Sequence, residues 1–213
     1  NLLDHARIVL QQVETMRAEI AAQWSDAYHG TVHAEQVAIT SGCNEAFCAA
    51  IETLTAEGDE VLLPTPWYFN HKMWLDMAGA VGGGEHDERR QGAVPLPAGP
   101  GLVPDPATAA ALLTPRTRAI VLVSPNNPGG VEYPPETIAA FYALCRDAGI
   151  ALILDETYRD FHSSEGAPHD LFTRPGWEDT LIQLYSFSKA YRLTGHRVGA
   201  MVTGRDRLAE VEK

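Results

Sequence analysis

The sequence has few cysteines and no long hydrophobic run. Only Cys43, Cys48 and Cys145 occur among 213 residues, and thiols at these spacings form neither a closed set of disulfides nor a metal-binding motif. This favours reduced thiols in a reducing compartment, and we expect the protein to be cytoplasmic. The longest apolar runs, such as Ala119–Val123 and Ile150–Leu154, are far too short to span a bilayer, which argues against a membrane protein.

Positive charge is also scarce. The chain has 28 acidic against 16 basic residues and a net charge of −12, so it lacks the basic surface with which proteins hold the phosphates of nucleic acids. We therefore expect no nucleic-acid partner. A content of 45% hydrophobic and 21% charged residues is typical of a globular protein, and the length fits one large domain or a domain with a fragment of a second.

Strand-like and helix-like segments alternate along the chain. Apolar residues at a helical spacing predict a first helix over residues 1–28, so we expect residues 1–30 to form a helical segment that leads into a main domain over residues 31–213. Continuous apolar strands between helices predict an α/β fold, with a mostly parallel sheet and helices on both faces. The predicted strands are Val37–Thr40, Glu60–Leu63, Arg118–Val123, Ile150–Leu154, Thr180–Tyr185 and Val198–Val202, and the further helices are Asn44–Leu54, Phe69–Met77, Pro106–Leu113 and Pro134–Ala148.

A glycine-rich, charged stretch over residues 82–92 interrupts this pattern. It begins with Gly82, Gly83 and Gly84, and we interpret it as a flexible surface loop. The alternative is a glycine cradle for a phosphate. That alternative is disfavoured because no predicted strand directly precedes the stretch and no predicted helix follows it.

Polar and aromatic side chains directly follow five of the predicted strands. In parallel sheets the ligand lies beyond the carboxyl ends of the strands, so these residues form the candidate site. The five motifs are Ser41–Asn44, Pro64–Tyr68, Ser124–Gly129, Asp155–Tyr158 and Ser186–Lys189.

Three of these residues suggest chemistry on a bound ring. Lys189, beside Ser186 and Ser188 at a strand end, can lose its proton and act as an amine nucleophile for Schiff-base formation, although a lone lysine is usually a solvated surface group. Asp155 ends an apolar strand, where an acid is costly unless it meets a cation. It suits a pyridinium nitrogen, or else it caps a helix. Tyr158 is either a donor to a ring oxygen or a packed loop tyrosine.

The other candidates also have plain structural alternatives. Gly42 opens the helix predicted from Asn44, and the free N–H groups there suit a phosphate, but Ser-Gly before a helix is also ordinary capping chemistry. Asn127 lies in Asn-Asn-Pro-Gly, which by default is a turn. Tyr68 offers a flat face for a ring or is a core aromatic. Arg197 is a phosphate contact or a surface charge.

In their order and joint presence, these motifs resemble those of the class I/II aminotransferases, which are fold-type I pyridoxal-phosphate enzymes. The most specific part runs from Ser186 to Gly199 and is similar to the family's S-x-S-K segment, followed by a glycine and a phosphate-binding arginine. Asn-Asn-Pro-Gly and Asp-Glu-x-Tyr precede it in the family's order. The resemblance covers the chain except the glycine-rich stretch. It implies the large domain of that fold, with pyridoxal 5′-phosphate as the cofactor.

The resemblance implies a role for each candidate residue. Lys189 carries the cofactor as a Schiff base and then moves the substrate proton, while Asp155 pairs with the pyridine nitrogen. Asn127 and Tyr158 hydrogen-bond the phenolic oxygen, and Tyr68 stacks on the ring. The phosphate is held by Gly42, Cys43, Asn44, Ser186, Ser188 and Arg197.

The chain also departs from the family's pattern. Cys43 stands where small residues are frequent, and His196 where an aromatic residue such as Trp is common. The chain is about half as long as a typical member, without the N-terminal arm and largely without the small domain that supplies the arginine for the substrate carboxylate. The resemblance further implies a homodimer whose sites borrow residues from the partner chain.

The resemblance predicts an aminotransferase that moves an amino group between an amino acid and a 2-oxo acid. Three alternatives stay open. A C–S β-lyase or another fold-type I enzyme shares every candidate residue. A regulator that uses such a domain as a ligand sensor would carry a basic winged-helix segment upstream. An inactive truncated piece of an enzyme is the third. The amino donor and acceptor do not follow from the sequence.

Overall fold

The computed structural model describes residues 2–80 and 92–211, and its centre is one β-sheet. The strands are β1 (Val37–Thr40), β2 (Glu60–Thr65), β3 (Gly92–Pro97), β4 (Thr117–Val123), β5 (Ala151–Asp155), β6 (Leu181–Ser186) and β7 (Gly199–Val202). Within the described residues they lie in the order β1-β7-β6-β5-β4-β2-β3. All pairs from β3 to β6 are parallel, whereas β7 runs antiparallel to both β6 and β1. The predicted α/β fold with a mostly parallel sheet is confirmed.

Helices cover both faces of the sheet. They are α1 (Leu2–Ala27), α2 (Cys43–Leu54), α3 (Phe69–Ala80), α4 (Pro106–Leu112), α5 (Pro135–Ala148) and α6 (Arg205–Val211). One apolar core contains Trp24 of α1 and Phe141 of α5, together with alternate residues of the strands. The opposite core contains Phe47 of α2, Leu75 of α3 and Leu208 of α6. None of the helices in the described ranges has the length and apolar character that a bilayer span requires.

The strand ends that carry the motifs meet at one edge of the sheet. β1 is antiparallel to β7, which is antiparallel to β6, so the carboxyl end of β1 lies on the same side as those of β2 to β6. β7 begins at that edge, because Gly199 pairs with both Thr40 and Ser186. The residues just before β7, including Arg197, therefore reach the same place as the residues that follow the other strands.

Two elements were not predicted from the sequence. The first is β3, and its first residue, Gly92, had been assigned to the surface loop. The rest of that predicted loop lies outside the described residues. β3 contains Pro95 and Pro97, and prolines in a sequence usually argue against a strand. β3 is an edge strand of the sheet, however, where a missing N–H donor is tolerated. The second is α6, which is seven residues long and buries only Leu208.

The structure contains every predicted helix and strand, and no bound differs from its prediction by more than three residues. The largest shifts are in β2, which continues through Pro64 to Thr65, and in α3, which continues to Ala80. Helix α1 occupies the predicted N-terminal segment. The division of the chain at residue 30 stays a prediction.

Candidate active site

A cavity of about 180 Å³ opens at the edge where the strands end. Three lining residues, Val123, Thr157 and Thr194, were not predicted. The other lining residues are ten of the eleven predicted site residues: Cys43, Asn44, Tyr68, Asn127, Asp155, Tyr158, Ser186, Ser188, Lys189 and Arg197.

Gly42 is the predicted site residue that does not line the cavity. A Cβ atom built on it would lie 2.3 Å from Nη2 of Arg197, and its φ of +93° is a conformation that other residues rarely adopt. Gly42 therefore allows the guanidinium of Arg197 to approach the start of α2. Gly42 thus leaves space for Arg197, and its predicted contact with the phosphate stays a prediction.

Asp155 is a buried carboxylate at the inner end of the cavity, with 3% of its surface exposed. Oδ1 accepts a hydrogen bond from the backbone N–H of Thr157 at 3.0 Å, and Oδ2 lies 3.2 Å from Nε2 of His71. Burial alone would raise the pKa of this carboxyl group, but the neighbouring His71 and the bonds from Thr157 outweigh burial and lower the pKa. The cavity therefore contains a fixed negative charge where a cationic ring nitrogen could meet it.

His71 is a site residue that the sequence did not indicate. It is 1% exposed, and its ring stacks on Phe47 at 4.0 Å and meets Tyr68 edge-on at 5.0 Å. Nε2 lies 3.2 Å from Oδ2 of Asp155, close enough for its hydrogen and its charge to act on the carboxylate. His71 thus supports Asp155 by electrostatics and packing, and holds the Tyr68 ring at the cavity wall.

Lys189 carries an amine without a carboxylate partner in the described part of the chain. The residue is exposed, and its Nζ lies 5.5 Å from the centre of the Tyr158 ring. Within the same described ranges, the side chains of Asn127 and Tyr158 make no hydrogen bond. An amine, an amide and a phenol therefore face the cavity with their bonding capacity unused.

The part of the cavity wall formed by the start of α2 and Arg197 suits an anion. Helix α2 begins there at Cys43, and the N–H groups of a first helical turn have no partners within the helix. The guanidinium of Arg197 lies beside this turn, and its Nη1 donates to the carbonyl oxygen of Thr194 at 3.2 Å and to Oγ of Ser188 at 3.5 Å. A phosphate group here would meet backbone donors, hydroxyl groups and a cation together.

We expect Gly42→Ala to weaken anion binding at this end. The added methyl group collides with Arg197 and requires an unfavourable φ, so the affinity for pyridoxal phosphate should fall tenfold or more, which corresponds to about 1.4 kcal/mol. Equilibrium dialysis measures this affinity. Gly195→Ala is the matched control, because a Cβ there meets no atom within 4 Å. Equal affinities of the two variants would contradict this account of Gly42.

The residues of the cavity fit pyridoxal phosphate. The buried carboxylate of Asp155 corresponds to the ring nitrogen of that molecule, and the Lys189 amine corresponds to its aldehyde. Asn127 and Tyr158, whose side chains make no hydrogen bond within the described residues, could donate to its phenolic oxygen, and the anion pocket suits its phosphate. Burial, followed by the charge of Asp155, raises the pKa of the Tyr68 phenol, so its ring is a neutral face at one side of the cavity. The individual roles of these residues stay predictions.

Comparison with known proteins decides the family. The sequence model described as "aminotransferase class I and II" matches residues 8–211. The chain belongs to this family. It is 34% identical over 189 residues to an arginine–pyruvate transaminase of Pseudomonas aeruginosa, a match that covers 88% of this chain and 45% of that protein. It is 28% identical to a methionine aminotransferase of Escherichia coli, over 94% of this chain and 50% of that protein.

Solved aminotransferase structures have the same fold. The N-succinyldiaminopimelate aminotransferase of Mycobacterium tuberculosis superimposes with a TM-score of 0.81 at 29% identity, over 93% of this chain and 50% of that one. The chain therefore spans about half the length of the relatives it matches. The names of these relatives include amino acids with basic, sulfur-containing and succinylated side chains. Membership of the family alone does not assign a substrate.

The residues that sequence reasoning missed divide into two kinds. Val123 is the last residue of a predicted strand, Thr157 lies next to Tyr158, and Thr194 lies in the segment from Ser186 to Gly199, so their position in the chain was a usable signal. His71 lies outside the quoted motifs, three residues after Tyr68 in the predicted helix. It reaches Asp155 only because α3 packs across the sheet beside α2.

Proposed function

We propose that this chain is the cofactor-binding part of a pyridoxal-phosphate-dependent aminotransferase, which moves an amino group between an amino acid and a 2-oxo acid. The observation that carries the proposal is the presence, in one cavity, of the buried carboxylate of Asp155 and the amine of Lys189, which has no carboxylate partner among the described residues. Family membership supports it independently.

The cofactor would be held at both ends. Lys189 would bind its aldehyde carbon, Asp155 its ring nitrogen, and the start of α2 with Arg197 its phosphate. Asn127 and Tyr158 would donate to the phenolic oxygen. The bound ring supplies an electron sink for the substrate carbon that loses its proton.

The protein's own residues would then act on the substrate. Lys189 is the candidate base for the α-proton, because its amine faces the cavity and has no carboxylate partner in the described ranges. Asp155 keeps the ring nitrogen protonated, since its lowered pKa leaves the carboxyl group ionised at neutral pH. Tyr68 and Thr157 are the cavity residues adjacent to these groups, and they would restrict the orientation of the ring.

A single-turnover experiment tests the reaction class. The holoenzyme is mixed with one amino acid at a time, without an acceptor, and the visible absorbance of the bound cofactor is followed. An aminotransferase releases one 2-oxo acid per site and no ammonia, because the amino group stays behind. A C–S β-lyase would release ammonia, a thiol and pyruvate, and would continue to turn over. Ammonia in excess of the sites would therefore overturn the proposal.

We further propose a homodimer in the cytoplasm. Phe69, Met73 and Met77 form an exposed apolar row at every fourth residue of α3, beginning next to Tyr68, and such patches are typical of subunit contacts. The three cysteines are free thiols, which favours a reducing compartment. Sedimentation of the holoenzyme at micromolar concentration tests the dimer, and a monomer would contradict it.

A further inference from the structure

Asp155 and the next residue, Glu156, point to opposite faces of the sheet. Along β5, Ile153 belongs to the core that contains α2 and α3, whereas Leu152 and Leu154 belong to the core that contains α1. Since side chains alternate along a strand, Asp155 turns toward the cavity and Glu156 turns to the far side. The backbone N–H of Glu156 donates to the carbonyl oxygen of Leu184 at 2.9 Å, which extends the pairing of β5 with β6 by one residue.

Glu156 is buried there, with 1% of its surface exposed. One oxygen, Oε2, accepts three hydrogen bonds, from Tyr28 Oη at 2.7 Å, Gln183 Nε2 at 2.8 Å and His169 Nε2 at 3.2 Å. A buried carboxylate is costly unless it is paired in this way. Burial would raise the pKa of Glu156, but these donors, and His169 most of all, lower it, so the group remains ionised.

Each of the three donors is itself held in place. Nδ1 of His169 accepts the N–H of Leu171 at 3.2 Å. This bond fixes the ring so that Nε2 faces Glu156. The Gln183 amide is oriented by Trp24, whose Nε1–H donates to Oε1 at 2.8 Å. Tyr28 stacks on the His169 ring at 4.7 Å.

A cation lies near the buried charge. The guanidinium of Arg159 lies 3.6 Å above the centre of the Trp24 ring and 5.0 Å from that of Tyr185, and it interacts electrostatically with Glu156. Arg159 also forms an ion pair with Asp160 at 3.7 Å, and Asp160 accepts a hydrogen bond from the hydroxyl group of Tyr185. The charged and titratable groups that face Glu156 are thus Tyr28, His169 and Arg159.

The hydrogen-bonded set of Trp24, Tyr28, His169, Gln183 and Glu156 connects α1 to the site. Trp24 lies in the last turns of α1 and Tyr28 directly follows the helix, with 0% and 1% of their surfaces exposed. Both belong to the hydrogen-bonded set that ends on Glu156, one peptide bond from Asp155. Nothing in the reaction requires a carboxylate on this side of the sheet, so its burial there needs another explanation.

We propose that Glu156 is a positioning residue. It anchors the end of β5 from the far side of the sheet, so that Asp155 keeps its orientation toward the cofactor ring, and it couples the docking of α1 to the site. This inference rests on the proposed function and deepens it.

The test is Glu156→Gln in the full protein. The amide keeps the size but removes the charge that three donors and Arg159 surround, so the end of β5 should lose its fixed orientation. We expect tenfold weaker binding of pyridoxal phosphate. We also expect the visible absorbance of the bound cofactor to change at a higher pH, with a midpoint at least about half a unit above that of the wild type. A poorly placed Asp155 would leave the ring nitrogen less protonated, and this would raise the pKa of the Schiff-base nitrogen that joins the ring to Lys189.

Glu60→Gln is the matched control. Glu60 is also a buried glutamate, with hydrogen bonds from Thr114 and Arg116, but it begins β2 at the opposite edge of the sheet. Its loss should lower the melting temperature and leave the absorbance midpoint unchanged. If Glu156→Gln behaves in the same way, Glu156 is merely structural and the proposal is wrong.

Tyr28→Phe is a second variant in case Glu156→Gln does not fold. It removes one donor to Glu156 from the far side of the sheet, and we expect a smaller shift of the midpoint in the same direction. An unshifted midpoint would overturn the proposal. If the wild-type protein itself shows no bound-cofactor absorbance, the proposed function fails first and this inference fails with it, whereas normal wild-type absorbance with unshifted variants refutes the inference alone.

Discussion

Replacing Lys189 with alanine is expected to abolish the covalent retention of pyridoxal phosphate and to lower amino-group transfer by a factor on the order of 10⁴. The amine of Lys189 faces the cavity without a carboxylate partner in the described residues, so its removal takes away both the attachment point and the candidate base. Borohydride reduction followed by peptide mass spectrometry measures the attachment.

The chain makes this experiment easy to interpret. It contains only three lysines, Lys72, Lys189 and Lys213, so the modified peptide identifies the residue directly. Lys72→Ala is the control, because the Lys72 amine forms an ion pair with Asp76 and lies over Trp67, outside the cavity lining. It should retain the cofactor and its activity. A reduced adduct on Lys72, or one that persists in Lys189→Ala, would refute the assignment.

Asp155→Asn is expected to slow amino-group transfer by about 10² to 10³ while the protein still binds the cofactor. The asparagine keeps the oxygen that accepts the N–H of Thr157, so the local backbone stays in place, but the negative charge opposite the ring nitrogen is lost. The pKa of Asp155 is lowered, so in the wild type this charge is present above the ordinary carboxyl pKa and disappears only as the pH falls through the lowered value. Single-turnover rates across pH measure the effect.

Asp59→Asn separates this loss of charge from a general loss of stability. Asp59 is also buried and forms an ion pair with Arg118 at 2.9 Å, but it precedes β2 at the edge of the sheet opposite the cavity. This variant should melt at a lower temperature and react at the wild-type rate. Rates that fall equally in both variants would show that the effect of Asp155 is not electrostatic.

The sequence predicts those elements of the fold whose own hydrophobic pattern is distinctive. The strands β4, β5 and β6 are apolar runs buried on both faces, and such runs stand out in any sequence of this composition. The edge strand β3 does not, because it contains prolines and is partly exposed. Its place is decided by pairing with β2, which is a contact between distant parts of the chain.

The candidate site follows the same division. The order of its motifs, with a polar or aromatic group after each of five strands, is a property of the sequence, and it predicted ten of the residues that line the cavity. The contact of Gly42 with the phosphate stays a prediction, and the structure adds that Gly42 leaves the space that the guanidinium of Arg197 fills. Only the packed structure shows that Arg197 approaches Gly42 so closely.

The sequence by itself thus determined six of the seven described strands, the order of the motifs and Lys189 as the candidate cofactor lysine, because strand pattern and motif spacing are local properties of the chain. The tertiary structure decided which groups surround those residues. It brought His71 from α3 to Asp155, and it buried Glu156 among side chains from α1, β6 and the segment that contains His169. These are contacts between residues 13 to 128 positions apart, on segments that meet only when both faces of the sheet are covered. No short stretch of sequence contains that information.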